Sequence, residues 1–269
     1  MSKERAARKL VQASRRHGLS AITRAARLLV SAHRTRRLAA TAGVGLKSEA
    51  DAYRVQDRVY AELWPETRPA AWKAGGPSDK VAPTAAPIPA ERLLRSPASV
   101  SASHMHLLGV EAEVAYRLAR DLPPRSRPYS ERAVAAAVGE VLVTIEVCDT
   151  RLAGWSRAPQ PWKLADFQNN GALVAGSGTA QWHEIDFARQ EVTVTIGEKR
   201  QAFRGSHPFG NPFRLLPWLV AHCVKRGIGL HAGDIVTTGS WSGLAPAQAG
   251  DVVVARFPGI GEATVRIEP

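Results

Sequence analysis

Val110-Glu111-Ala112-Glu113-Val114-Ala115-Tyr116-Arg117 is the stretch on which the fold turns. Successive side chains of a strand point to opposite faces, so a strand here puts Val110, Ala112, Val114 and Tyr116 on one side. Glu111, Glu113, Ala115 and Arg117 fall on the other. The run Val141 to Cys148 repeats the arrangement, with Val141, Val143, Ile145 and Val147 on one face and Leu142, Thr144 and Glu146 on the other. Two glutamates at i and i+2 repel across about 7 Å. Glu146 sits among apolar residues, where an isolated carboxylate costs several kcal/mol to bury or else turns neutral. A hard dication answers both problems, and oxygen-only ligands favour magnesium, manganese or calcium over zinc. Spacing alone leaves a second reading open, a solvated face whose glutamates pair with lysines.

Outward from these strands, Glu191 to Ile196, Asp234 to Thr238, Asp251 to Phe257 and Ala263 to Ile267 also read as strands. They are bounded by turn residues such as Pro123-Pro124, Gly227, Gly229, Gly259 and Gly261. Helices are predicted over Glu131 to Val138 and Phe213 to Arg226. Upstream, Ala6, Leu10 and Val11, then Ile22, Ala25, Leu28 and Leu29, recur at three and four residues. That period predicts two amphipathic helices separated near Gly18. Ser48 and Glu49 open a third, which ends before Pro65. From Gly75 to Pro97 the density of proline, glycine and alanine predicts an irregular connection. The expected class is α+β, with residues 1–75 an N-terminal helical region and 76–269 a β-rich catalytic domain.

Composition narrows the function classes. Cys148 and Cys223 stand in no ligand-like spacing, which argues for a reducing, cytoplasmic setting and against a zinc or iron–sulfur centre. No apolar run approaches the roughly 20 residues that cross a bilayer, so no membrane partner is expected. The net charge of +12 raises the question of nucleic acid. Residues 1–48 hold 12 Lys and Arg against Glu4 alone, leaving 24 bases and 23 acids in the other 221 residues. That basic segment has no aromatic residue to stack a base and no groove-reading motif. A solvated cationic helix face is the expected reading, and nucleic acid is not an expected partner. The Arg, Ala and Ser content also suits a transit peptide, against which the continuing helical register argues.

Several motifs in a fixed order carry a resemblance. They are G-V-E-A-E-V-A-Y-R-L-A-R-D-L-P-P (Gly109 to Pro124), I-E-V-C-D-T-R-L-A-G-W (Ile145 to Trp155) and A-D-F-Q-N-N-G-A-L-V-A-G (Ala165 to Gly176). S-H-P-F-G-N-P (Ser206 to Pro212), A-G-D-I-V-T-T-G-S (Ala232 to Ser240) and P-G-I-G (Pro258 to Gly261) follow. D-A-Y-R-V-Q (Asp51 to Gln56) and W-K-A-G (Trp72 to Gly75) precede them. Together they resemble the fumarylacetoacetate hydrolase superfamily, and most closely its hydratase and decarboxylase branch.

The resemblance implies a mixed β-barrel or roll, helices that belong to the mature protein, and a homo-oligomer. It implies Glu111, Glu113 and Glu146 as ligands of Mg2+ or Mn2+, and a small 2-oxo acid as substrate. Such an acid can chelate a metal through its carboxylate and C2 oxygen, and the dication then stabilises an enolate. Lys73 matches the branch's active-site lysine. Asp166 and Asn170, as catalytic groups, and Asn169, as a substrate contact, lie where the branch has D-N-A-S-S-G, here D-F-Q-N-N-G. Thr238, Gly239 and Ser240 are expected to offer N–H groups and hydroxyls to substrate. The chain departs from the branch after Lys73, where a P-D-F-G-like stretch is usual. It has no aspartate between Lys80 and Asp121; Asp79 and Glu91 are the nearest acids, and His104 and His106 the candidate replacements.

The expected activity is a metal-dependent hydro-lyase of a short 2-hydroxydienoate, similar to 2-oxopent-4-enoate hydratases. Decarboxylation and acylpyruvate-type C–C hydrolysis pass through the same enolate and are the alternatives. A binding module with basic N-terminal helices is the reading from another class.

Overall fold

The computed structural model describes residues 20–269; the helix expected before Gly18 lies outside them. The α-helices among the described residues are α1 (Ala21–Thr35), α2 (Glu49–Leu63), α3 (Glu131–Ala135), α4 (Gln160–Ala165) and α5 (Leu215–Lys225). Serines open the first two: Ser20 Oγ accepts the Thr23 N–H and Ser48 Oγ the Asp51 N–H, satisfying donors a helix start leaves orphaned. The predicted period holds, since Ala25 and Leu29 of α1 and Ala52, Val55 and Val59 of α2 are buried. The described residues up to Pro65 form one compact unit with Arg151–Ala165. Within it Gln56 Nε2 donates to the Leu164 carbonyl of α4, and Trp162 Nε1 donates to the Val44 carbonyl at 3.1 Å.

The second unit comprises Glu66–Thr150 and Asp166–Pro269. In that unit the W-K-A-G segment is a strand that pairs inside the sheet. In chain order the strands are β1 (Ala71–Gly75), β2 (Thr84–Ile88), β3 (Leu93–Arg95), β4 (Ala98–Ser101), β5 (Gly109–Leu118), β6 (Val138–Cys148) and β7 (Asn170–Thr179). β8 (Glu191–Ile196), β9 (Lys199–Arg204), β10 (Ile235–Ser240), β11 (Ala245–Pro246), β12 (Val252–Phe257) and β13 (Gly261–Glu268) follow. They make an eight-stranded mixed sheet, ordered β2-β1-β10-β5-β6-β7-β3 with β11 on β5, and a five-stranded sheet, ordered β4-β13-β12-β8-β9.

The alternation read from β5 and β6 decides which face is core. Val110, Ala112, Val114 and Tyr116, with Val141, Val143, Ile145 and Val147, join Val192, Val194, Val253, Ala255, Val265 and Ile267 of the second sheet in one buried cluster. At roughly 1.5–3 kcal/mol for each large apolar side chain buried, this face locks the register. A slip of one residue would turn the glutamates into it.

Seven strands escape the sequence reading, β1, β2, β3, β4, β7, β9 and β11, and three of them show why. β2 lies in the stretch expected to be irregular and contains Pro87, which a sheet tolerates because β2 is its edge strand. β9, K-R-Q-A-F-R, has no apolar alternation because it is the charged edge of the other sheet. β7 is Gly-rich where the two sheets meet: a Cβ on Gly176 would lie 2.1 Å from the Glu262 carbonyl oxygen. The helix predicted to reach Val138 stops at Ala135, because Val138 already pairs with Leu118 in β6.

Candidate functional site

On the opposite face of the larger sheet, four neighbouring strands bring polar groups together. β5 pairs antiparallel with β6 so that Glu111 stands opposite Glu146, and Glu113 opposite Thr144. β10 lies on the other side of β5, and β1 pairs with it so that Lys73 stands beside Thr237. The same face continues as a small apolar floor of Ala71, Ile88, Ala115, Leu142, Leu173, Ala175 and Ile235.

Glu113 and Glu146 are fully buried. Directly opposed residues have Cβ atoms about 5 Å apart, so the charges of Glu111 and Glu146 repel by about 3 kcal/mol at an effective dielectric near 20. One cation answers part of this. Lys73 Nζ lies 2.6 Å from Glu146 Oε2 and 3.1 Å from the Gln168 carbonyl oxygen. Asn170 Nδ2 donates to Glu146 Oε1 at 3.0 Å. Burial by itself disfavours the Lys73 ammonium, yet Glu146, followed by the other acidic groups, holds its pKa above the ordinary lysine value. Burial, then the charges of Glu146 and Glu111, push the Glu113 carboxyl up to about 8. The Glu146 carboxyl is also raised, chiefly by burial.

The hydrogen bonds of Glu113 are lopsided. Its Oε2 accepts the Thr237 hydroxyl and, at 3.1 Å, the Gly239 N–H. Its Oε1 is buried and has no partner, the costly condition for a carboxylate oxygen. Three carboxylates against one ammonium, with one oxygen unsatisfied, make a donor set suited to a dication. Among the described residues, the acidic and thiol atoms within 4.8 Å of one another come from Glu111, Glu146 and Cys148. Glu113 is offset along the face and falls outside that group.

The other expected site residues divide. Asp166 is buried and accepts the Thr150 hydroxyl at 3.1 Å. Asn169 gives its carbonyl to the Asp149 N–H at 2.8 Å, while its Oδ1 is buried without a partner. Gly239, at φ +96°, has the backbone freedom that lets its N–H reach Glu113. Ser240 stands opposite Glu113 across a register shift, and its Oγ accepts the Ser242 N–H at 3.3 Å. The Thr238 hydroxyl donates to the Val114 carbonyl at 2.6 Å, on the core side of the sheet. Thr237, which the sequence reading passed over, faces the glutamates instead. Gln168 was passed over too: Phe167, Gln168 and Asn169 all have φ near +55°, at 51°, 53° and 61°, and this left-handed turn aims the Gln168 carbonyl at Lys73. No pattern marks it, since none of the three is glycine. Cys148 was set aside for want of a C-x-x-C spacing, yet E-x-C on a strand shares a face as E-x-E does. Of the nearest acids, Asp79 is engaged by Arg214 at 3.4 Å and Glu91 is exposed; of the candidate replacements for the missing aspartate, His106 is exposed. The His104 side chain lies outside the description.

The family whose description is fumarylacetoacetate (FAA) hydrolase C-terminal matches residues 41–268. The chain belongs to the fumarylacetoacetate hydrolase family. Curated relatives include the 2-keto-4-pentenoate hydratase of Paraburkholderia phymatum, 31% identical over 153 residues, 56% of this chain and 57% of the relative. The 2-hydroxyhexa-2,4-dienoate hydratase of Comamonas testosteroni is 27% identical over 58% of each chain. The chain thus spans under three fifths of the length of the hydratases it matches. Among solved structures, 4-oxalocrotonate decarboxylase from Pseudomonas putida G7, complexed with magnesium and adipate, superposes with a TM-score of 0.79 at 20% identity. That match covers 91% of this chain and 97% of the other. At that identity the likeness speaks for the fold: a fumarylacetoacetate hydrolase-like mixed sheet with N-terminal helices.

Proposed function

We propose that this chain is a divalent-metal-dependent hydro-lyase, adding water to a short 2-hydroxydienoate or its 2-oxo form as 2-oxopent-4-enoate hydratases do. The observation that carries the reading is the sheet face on which Glu111 opposes Glu146, Glu113 holds an unpaired buried oxygen, and Lys73 pairs with Glu146. Glu111, Glu113 and Glu146 would hold the ion, magnesium in the first place and manganese as the alternative. When bound, it supplies a Lewis acid that stabilises negative charge on the C2 oxygen of a 2-oxo acid.

The chain's own groups do the rest. The Lys73 ammonium, anchored by Glu146 Oε2 and the Gln168 carbonyl, is placed to pair with a substrate carboxylate or to carry a proton. Asn170 orients Glu146 through its Oε1. Asp166 and Asn169, at the turn before β7, and the backbone of Gly239 and Ser240, at the end of β10, are assigned to positioning substrate and water. A cytoplasmic homo-oligomer is part of the same proposal.

Decarboxylation is the second reading, and the segment after Lys73 favours it. Hydration needs an acid–base partner to deliver water, whereas loss of CO2 needs only a proton returned to carbon. No aspartate lies between Lys80 and Asp121 to be that partner. Incubation with Mg2+ and 2-hydroxypenta-2,4-dienoate is expected to yield 4-hydroxy-2-oxopentanoate. Release of CO2 from a 2-oxo diacid without hydration would move the assignment to the decarboxylase. No turnover of either substrate or of an acylpyruvate, or tight Mg2+ binding retained by Glu111→Gln/Glu113→Gln, would sink the metal-enzyme reading.

A further inference from the structure

The glutamate face carries one donor that hydration does not use. Cys148 follows Glu146 by two residues on β6, so its thiol points to the same side, and it is 2% exposed. Its Sγ lies 3.6 Å from Glu111 Oε2, and one donor atom from each of Glu111, Glu146 and Cys148 falls within 4.8 Å of the others. A second observation shows the face short of a positive partner: Glu113, fully buried two residues along β5 from Glu111, has an Oε1 without a partner. The donor set then separates ion classes. With sulfur at about 2.3 Å and oxygen at about 2.1 Å from one ion, a tetrahedral angle separates the two donors by about 3.6 Å, and an octahedral right angle by about 3.1 Å. In the metal-free chain the Cys148 thiol donates a hydrogen bond to Glu111 Oε2 at 3.6 Å, a spacing that a tetrahedral edge would keep once the thiol proton leaves. Magnesium demands an octahedron of oxygens, while thiolate ligands select softer ions.

We propose that Cys148 turns this carboxylate cluster into a mixed oxygen and sulfur site that binds a thiophilic dication, of the zinc, cobalt(II) or cadmium class, through Glu111, Glu146 and Cys148. The proposal rests on reading the glutamate face as a divalent-metal site and adds a second class of ion to it. Binding replaces the S–H bond by a sulfur–metal bond and releases one proton to solvent for each ion, with no change of oxidation state. Because Glu111 and Glu146 serve both ions, a thiophilic dication displaces magnesium and inhibits turnover.

The test is titration of the full chain, stripped with a chelator, with Co2+ and then Cd2+, following the near-ultraviolet thiolate-to-metal absorption and proton release. A band that saturates at one ion per chain is expected, kept in Cys223→Ser and lost in Cys148→Ser. Cd2+ affinity should fall at least ~100-fold in Cys148→Ser, the upper end of what supporting groups around a metal contribute, while Mg2+ affinity by calorimetry shifts far less. If wild type binds Mg2+ but gives no thiolate band, or if the band survives Cys148→Ser, the sulfur ligand is overturned and the proposed function is untouched. If a Cys148-dependent band forms but Mg2+ does not bind, the sulfur ligand stands and the magnesium enzyme falls.

Discussion

Lys73 is the residue whose loss should be most legible. Its Nζ lies 2.6 Å from the fully buried Glu146 carboxylate, and its own side chain is 12% exposed. Breaking a buried pair by removing one partner leaves the other charge uncompensated, a cost of roughly 3 kcal/mol or more. In metal-free protein, Lys73→Met should therefore lower unfolding stability by about that amount. Mg2+ should stabilise the variant more than wild type, because the ion then becomes the main counter-charge to Glu146. Urea unfolding with and without Mg2+ checks both parts; an unchanged metal-free midpoint would show that the pair contributes nothing. His207 gives a different test. Burial pushes its imidazole down to about 4, and its ring is committed in the neutral form. Nε2–H donates to the Thr238 carbonyl at 2.7 Å and Nδ1 accepts the Phe209 N–H at 3.2 Å. The unfolded chain, with an ordinary value near 6.5, binds more protons than the folded one between about pH 6.5 and 4. Stability should thus fall as pH drops through that window, by on the order of 3 kcal/mol for this group, and His207→Gln should flatten the slope.

At the scale of the element, the left-handed turn Phe167–Asn169 is the feature that places Lys73. Three consecutive non-glycine residues with φ of 51°, 53° and 61° each hold a conformation that costs about 1–2 kcal/mol. The neighbouring bonds hold it in place: the Asn169 carbonyl accepts the Asp149 N–H and the Asn169 N–H donates to the Asp166 carbonyl. Gln168→Gly keeps the carbonyl that meets Lys73 and relieves strain, so it should retain fold and most turnover. Gln168→Val should destabilise by about 2 kcal/mol and cost more in kcat than in KM, since a β-branched residue resists the left-handed region. Equal effects of the two variants in thermal unfolding and kinetics would remove the turn from the site. The sheet's edge strands were hidden from pattern reading for the opposite reason: β2 and β9 are specified by a neighbouring strand, and their own residues, Pro87 and the charged K-R-Q-A-F-R run, carry no period.

For the whole molecule, the metal site should couple to folding. Glu111, Glu113 and Glu146 come from β5 and β6, both central in the larger sheet, and assemble only when those strands pair. An ion that binds the folded state alone stabilises it by about 2.7 kcal/mol at 100 times its Kd. Saturating Mg2+ should raise the unfolding temperature of wild type by several degrees, and chelation should reverse the gain. Glu111→Gln should lose most of this response, while a Cys223→Ser control, altered on α5 away from the glutamates, should keep it. A melting temperature insensitive to every divalent ion would dissociate the glutamate face from metal altogether.

The sequence determined, by itself, the two periods on which the second unit is built. V-E-A-E-V-A-Y-R and Val141 to Cys148 alternate so strictly that the core side and the glutamate side of β5 and β6 follow from residue parity, and the Ser48 start of α2 and the apolar spacing of α1 and α2 were equally plain. The ordered motifs pointed to the family and to Lys73. Tertiary structure decided what meets across those strands: Glu111 facing Glu146, Thr237 rather than Thr238 beside Glu113, Cys148 joining the carboxylates, and a non-glycine turn presenting its carbonyl to Lys73. Parity along one strand is a local property of the backbone. Register between strands, and conformations held against their own preference, are set by contacts between residues far apart in the chain.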